Sequence, residues 1–160
     1  MPATDTTLEN DHLALEVDPA TGWLSKLVRK ATGDDLLAGA SGPHAEVLED
    51  RSDTWSHGVT AYEGKVAGVF ECTSVRLVEH GPVRGVIRVE SRFGASTLVE
   101  ELVLGAHADS VEVRVTLDWH ERLRLLKLRF PTAIQAETAT FEAPYGHVER
   151  PADGAQQREW

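Results

Sequence analysis

The chain has 160 residues, of which 41% are apolar and 26% are charged, and its formal net charge is −10. This length suits one domain, and the composition is that of an ordinary globular protein, which excludes a disordered or collagen-like chain. The acidic balance repels phosphate backbones and so disfavours nucleic acid as a partner, and no apolar run is long enough to span a membrane.

The N-terminal residues have neither a basic head nor an apolar stretch, so they do not resemble a signal peptide. Cys72 is the one cysteine, which excludes an internal disulfide and a zinc site built from cysteines. These features predict a cytoplasmic protein, or a segment from which flanking sequence has been removed.

Alternation of apolar and polar residues begins at residues 12–18, where Leu13, Leu15 and Val17 fall on one face. A period of two is typical of a strand with one buried face. Turn-forming Asp, Pro and Gly residues follow at 18–22 and again at 31–34. The first part of the chain is therefore predicted to form short strands joined by tight turns.

Residues 39–68 are the least regular stretch, and we expect a polar loop there. Asp53, Trp55 and His57 lie in it, and they are the best candidates for a site. An aromatic face can stack on the C–H surface of a sugar while a carboxylate and an imidazole bind its hydroxyls. The alternative is that Trp55 packs beneath the loop and Asp53 caps a turn, and the sequence leaves both open.

Strand-like runs and turns alternate every 10 or so residues between residues 73 and 119, which predicts an antiparallel meander or Greek key. The clearest runs are 83–93, with Ile87 and Val89 inward, and 110–119. Glu100 is unusual because it shares a strand face with leucines. A carboxylate on an apolar face is either an acid of raised pKa or a residue at a sheet edge with a hydrogen-bond partner.

Residues 120–130 fit both helical and strand spacing, and we predict a strand that ends at Pro131. None of the seven histidines stands at the spacing of a metal-binding motif, and only Asp118 and His120 could share a ligand shell on one strand face. No metal site is predicted in this chain. Alternation ceases after residue 150, which favours a chain cut from a longer one or a tail that awaits a partner surface.

Several segments resemble the C-terminal β-domain of family 38 glycoside hydrolases, the α-mannosidases. They span nearly the whole chain in the family's order, and they are residues 8–13, 18–24, 53–58, 81–84, 118–122, 125–127 and 146–151. The segments around 118–127 and 146–151 are the most specific. The resemblance implies an all-β fold, an antiparallel β-sandwich of the galactose-mutarotase type, with residues 1–160 forming a single domain of a larger glycoside hydrolase.

The resemblance also implies that the nucleophile and a divalent metal, usually zinc, lie in a catalytic barrel that precedes this domain, so no catalytic or metal-binding residue is assigned here. The expected partners are that catalytic domain and carbohydrate. Asp53, Trp55 and His57, together with His147 and Arg150, are the candidates to face the substrate. Three alternatives remain open: a free-standing carbohydrate-binding module, an interaction domain whose exposed apolar surface could also form a homodimer, and, by fold analogy alone, a mutarotase.

Overall fold

The computed structural model describes residues 1–37, 42–59, 62, 64–132 and 134–152. Within them the chain forms thirteen strands and no helix, so none of the described residues belongs to a helix that could cross a membrane. The strands are β1 Thr7–Glu9, β2 Leu13–Val17, β3 Leu24–Arg29, β4 Asp34–Asp35, β5 His44–Glu49, β6 Val66–Val69, β7 Glu71–His80, β8 Arg84–Phe93, β9 Ser96–Gly105, β10 Val111–Asp118, β11 Arg124–Arg129, β12 Thr138–Ala143 and β13 Gly146–Pro151.

All of these strands pair antiparallel, in sheets ordered β1-β2-β3-β4, β10-β9-β8-β7, β11-β5-β6 and β12-β13. The strands β7 to β10 are neighbours in both sequence and space, so the predicted meander between residues 73 and 119 is confirmed. The all-β class is likewise confirmed. Residues 153–160, which hold most of the irregular C-terminal segment, lie outside the described residues.

The inner face of the β7–β10 sheet packs against two separate layers. Toward one end, Ile87, Val89, Leu102 and Leu104 form a first cluster with the leucines and valine of β1–β3. Toward the other end, a second cluster consists of Leu98, Phe70 and two residues of β5, Ala45 and Val47, with Trp119 and Leu126 packed against it. The core is thus divided along the length of the long strands.

The predicted strand at residues 12–18 is confirmed, with Leu13, Leu15 and Val17 at most 4% exposed. The turn that follows is held by Asp18, whose Oδ1 accepts the N–H of Ala20. Gly22 ends the turn at φ +72°, a conformation that favours glycine. This turn brings β3 back along β2.

Two expectations about the strands need correction. Residues 39–68 are not wholly irregular, since they contain β5 and most of β6; the irregular part among the described residues lies between these strands. The strand predicted at 120–130 is present, but it begins only at Arg124, because Leu123 adopts φ +54° and interrupts the extended backbone. It pairs with β5 rather than extending the meander.

Candidate functional site

The loop between β5 and β6 carries the three main candidates on one hydrogen-bonded turn. Asp53 Oδ1 accepts the backbone N–H groups of Trp55 and His57 at 3.0 and 3.1 Å. Its Oδ2 lies 2.7 Å from Nδ1 of His57. The chain reverses at Ser56, with φ +55°, and at Gly58, with φ +72°. The carboxylate therefore organises the turn and holds the imidazole.

Trp55 projects from this turn with 81% of its surface exposed. The interpretation that Trp55 packs beneath the loop is therefore wrong, whereas the interpretation that Asp53 caps a turn is confirmed. Hydrogen bonds from the His57 side chain, and then from its backbone, lower the pKa of Asp53 below its ordinary value, so this carboxyl stays ionised at neutral pH. We define the Trp55 turn as residues 53–58.

Chemically, the Trp55 turn offers an exposed indole face beside an ionised acceptor and an imidazole. Indole rings present a large apolar surface with a polar N–H at one edge. Such a surface suits the C–H face of a sugar ring, and the neighbouring Asp53 and His57 can bind hydroxyl groups. That these side chains face a substrate stays a prediction.

His147 and Arg150 lie on β13, in the two-stranded sheet with β12. They are three positions apart, so they point to opposite faces of the strand. The guanidinium of Arg150 lies 5.6 Å from the ring centre of Phe141, within the range of a cation–π contact. The structure thus gives Arg150 a packing role within the hairpin, and it does not bring His147 and Arg150 together.

Glu100 does share the inner face of β9 with Leu98, Leu102 and Leu104, as the sequence predicted. It lies between the two core clusters, since Leu102 belongs to the first and Leu98 to the second. Burial raises the pKa of Glu100. Its carboxyl makes no hydrogen bond or ion pair with any other described residue, so the second interpretation, a partnered edge carboxylate, does not hold.

Asp118 and His120 do come together, with 3.0 Å between Oδ1 and Nε2. No third ligand joins them: the described residues contain no group of three or more His, Cys, Asp or Glu side chains that could hold a metal ion. Burial raises the pKa of the Cys72 thiol, which makes it a poor nucleophile at neutral pH. The described residues thus offer neither a metal site nor an activated thiol.

One polar network was not found from the sequence. Glu46 Oε1 lies 3.0 Å from Nε2 of His44 and accepts a hydrogen bond of 2.9 Å from Arg129. The hydrogen bond with His44, followed by that with Arg129, lowers the pKa of Glu46 despite its partial burial. His44 is buried and its ring stacks on Trp23 at 4.4 Å between centres. Because the imidazole is covered, this network serves to hold β5, β11 and the β2–β3 turn together.

Comparison with known proteins identifies the family. The profile of the glycosyl hydrolases family 38 C-terminal domain matches residues 8–160. The chain belongs to this family. The resemblance inferred from the sequence is thereby confirmed.

Among curated proteins, the family 38 chain is similar to alpha-mannosidase 2C1 of Mus musculus, at 28% identity over the whole of this chain and 16% of the relative. Alpha-mannosidase 2C1 of Homo sapiens is 27% identical over 96% of this chain and 15% of the relative. Alpha-mannosidase G of Dictyostelium discoideum is 24% identical over 92% of this chain and 14% of the relative. The chain spans about one sixth to one seventh of the length of these relatives.

Proposed function

We propose that this chain is the non-catalytic β-domain of an α-mannosidase polypeptide. In that polypeptide it packs on the catalytic domain, and its Trp55 turn lines the substrate cleft. The family membership of residues 8–160 and the alpha-mannosidase names of the relatives support the first part. The observation that carries the second part is the 81% exposure of Trp55 on a turn organised by Asp53 and His57.

On this proposal the chemistry of hydrolysis belongs to the catalytic domain, together with zinc or another divalent metal. The described residues of this chain contain no group of three or more His, Cys, Asp or Glu side chains that could hold that metal. What the chain supplies is binding: the indole stacks on a sugar ring, and the ionised Asp53 accepts hydrogen bonds from its hydroxyls.

The first experiment is to determine the mass of the native gene product in its source cell with an antibody raised against this chain. A product several times heavier than a 160-residue chain is expected, because the relatives are that much longer. A product of this chain's own mass would contradict the proposal.

The second experiment tests the Trp55 turn in that product. Trp55→Ala should raise KM for an α-mannoside by roughly 2- to 12-fold, the equivalent of one aromatic contact, while kcat changes less. Trp55→Phe keeps a stacking face and should restore most of the affinity. Val83→Ala, which truncates a side chain that is 74% exposed in another turn, is the matched control. Unchanged KM in Trp55→Ala would remove the cleft-lining role.

The exposed indole also favours a second candidate, a free-standing carbohydrate-binding module. This candidate predicts that the chain by itself binds mannose or mannosides, with loss of binding in Trp55→Ala. Calorimetric titration of the 160-residue chain with methyl α-mannoside separates the two, because the β-domain proposal does not require the chain to bind sugar alone.

A further inference from the structure

The strand β10 forms one edge of the four-stranded sheet, and within the described residues it pairs with β9 alone. It is eight residues long, and four apolar side chains alternate along its inner face. These are Val111 and Val113, which are half-buried, and Val115 and Leu117, which are 41% and 39% exposed. Its outer face carries the charged residues Glu112, Arg114 and Asp118, but the strand contains no proline, and its unpaired backbone groups can pair with another chain.

Glu100 is the charged residue on the inner face of the neighbouring strand β9. Val115 is its direct cross-strand partner, and Val89 flanks it on the other side. Glu100 lines a groove of about 720 Å³ together with Leu102, Val111 and other apolar side chains. Within the described part of the chain no donor reaches its carboxyl. A cation would stabilise the ionised carboxylate there.

The other charged residues of this groove strengthen the preference for a cation. Asp34 and Asp35 of β4 line it, and Arg29 is the basic residue among its lining. Among the described residues that line the groove, three carboxyl groups therefore face one guanidinium. A ligand of this groove that carries a positive charge between two apolar groups would therefore complement both the carboxylates and the apolar side chains of its lining.

We propose that the free edge of β10 accepts an extended polypeptide segment that adds a fifth strand to this sheet. In this added segment, the residue opposite Val115 is lysine or arginine. The residues two positions before and two positions after it are apolar. Neighbouring strands lie about 4.8 Å apart, so the basic residue stands about 10 Å from Glu100 along the sheet. The aliphatic part of a lysine or arginine side chain can pack over Val115 across that distance, so that the charged group reaches the carboxylate of Glu100.

A second copy of this chain does not meet these requirements. Two β10 strands that pair about a two-fold axis, with their inner faces on the same side, set only Val and Leu side chains against one another. Each Glu100 would remain without a cation. The partner is therefore a different segment, whose pattern is apolar, any residue, basic, any residue, apolar.

The probe is a fluorescein-labelled heptapeptide, Thr-Val-Thr-Lys-Thr-Val-Thr, capped at both ends, titrated into the 160-residue chain and followed by anisotropy. A second heptapeptide has glutamine in place of lysine. A charge-assisted hydrogen bond predicts that the lysine peptide binds about 10- to 100-fold more tightly than the glutamine peptide. Slowed amide exchange in β10 should accompany binding of the lysine peptide.

Two variants assign this preference to Glu100. Glu100→Gln should abolish it, and Val115→Lys should also abolish it, because the new lysine lies directly opposite Glu100 in the register. Glu112→Gln is the matched control, since it removes a carboxylate from the outer face of the same strand, where Glu112 pairs with Arg114. Circular dichroism checks that each variant is folded.

The proposal would be overturned by equal affinity for the two peptides, by a preference that survives Glu100→Gln, or by absence of binding at millimolar peptide. A dimer that sedimentation detects in the wild type, and that Val115→Lys dissociates, would replace it with self-pairing. None of these outcomes tests whether the chain is a domain of an α-mannosidase polypeptide. The mass of the native product tests that separately.

Discussion

Glu100→Leu should stabilise this domain, although it replaces a charged residue. The carboxyl lies among leucines and valines and has no partner among the described residues. Full burial of a leucine side chain is worth about 1.5–3 kcal/mol. Glu100 is only partly covered, so we take half of this, roughly 0.8–1.5 kcal/mol in the free energy of unfolding. For a chain of this size that corresponds to a rise in Tm of roughly 2–6 °C.

The pH dependence separates this explanation from a general gain in packing. Burial raises the pKa of Glu100, so its protonated form is favoured in the fold. The wild type therefore loses stability as pH rises through the raised pKa, because the unfolded chain binds fewer protons than the native one. The advantage of Glu100→Leu should be larger at neutral pH than near pH 4.

Urea unfolding at both pH values, followed by circular dichroism, measures these differences. Glu101→Leu is the matched control: Glu101 is the next residue, points to the opposite face and pairs with Arg88 at 2.6 Å. It should leave stability unchanged or reduce it by up to about 1 kcal/mol, since ion pairs that stay partly exposed to water contribute little. A destabilised Glu100→Leu, or a gain that is the same at both pH values, would refute the reasoning.

Three further predictions concern stability, each measured as the free energy of unfolding in urea. Gly22→Ala should cost about 2–3 kcal/mol, because its Cβ would lie 2.6 Å from Val89 at φ +72°; an unchanged midpoint would contradict this. Asn10→Asp should cost about 2–4 kcal/mol, since Nδ2 donates to the backbone carbonyls of Gly105 and Ala108, to which an aspartate carboxylate cannot donate; Asp11→Asn is its control. Glu46→Gln should cost about 1.5–3 kcal/mol at neutral pH. Because His44 lowers the pKa of Glu46, this difference should shrink as pH falls through that lowered pKa, and a constant difference would be evidence against the pairing.

The sequence predicted those strands that have one buried face. β2 and β8 were found because burial on one side imposes a period of two. β5 was missed because it is covered on both sides: His44 and Ala45 are both buried, as are Val47 and Leu48, so no alternation marks it. Contacts between residues far apart in the sequence could not be predicted either, because they depend on which strands pair. The link from Glu46 to Arg129 depends on the pairing of β5 with β11, which no local pattern indicates.

The candidate site was predictable in its residues but not in its form. The sequence showed Asp53, Trp55 and His57 in a polar stretch, yet it could not decide whether the indole pointed inward. That depends on backbone conformation at Ser56 and Gly58, where φ is positive. The sequence also showed that Glu100 is a carboxylate on an apolar face. It could not show whether Glu100 has a hydrogen-bond partner, because that depends on which side chains of the neighbouring strands lie beside it.

The division of the core into two clusters has a consequence for how the domain comes apart. The sheet β7–β10 is common to both clusters, while β1–β3 belong to the first and β5 to the second. Once the stack of His44 on Trp23, which joins β5 to the β2–β3 turn, is broken, each of these layers could detach while the other stays in place. Native-state hydrogen exchange should therefore resolve two partial openings, with β8 and β9 as the last amides to exchange. A domain built in this way can lose or remodel one layer in evolution without losing the sheet on which the other rests.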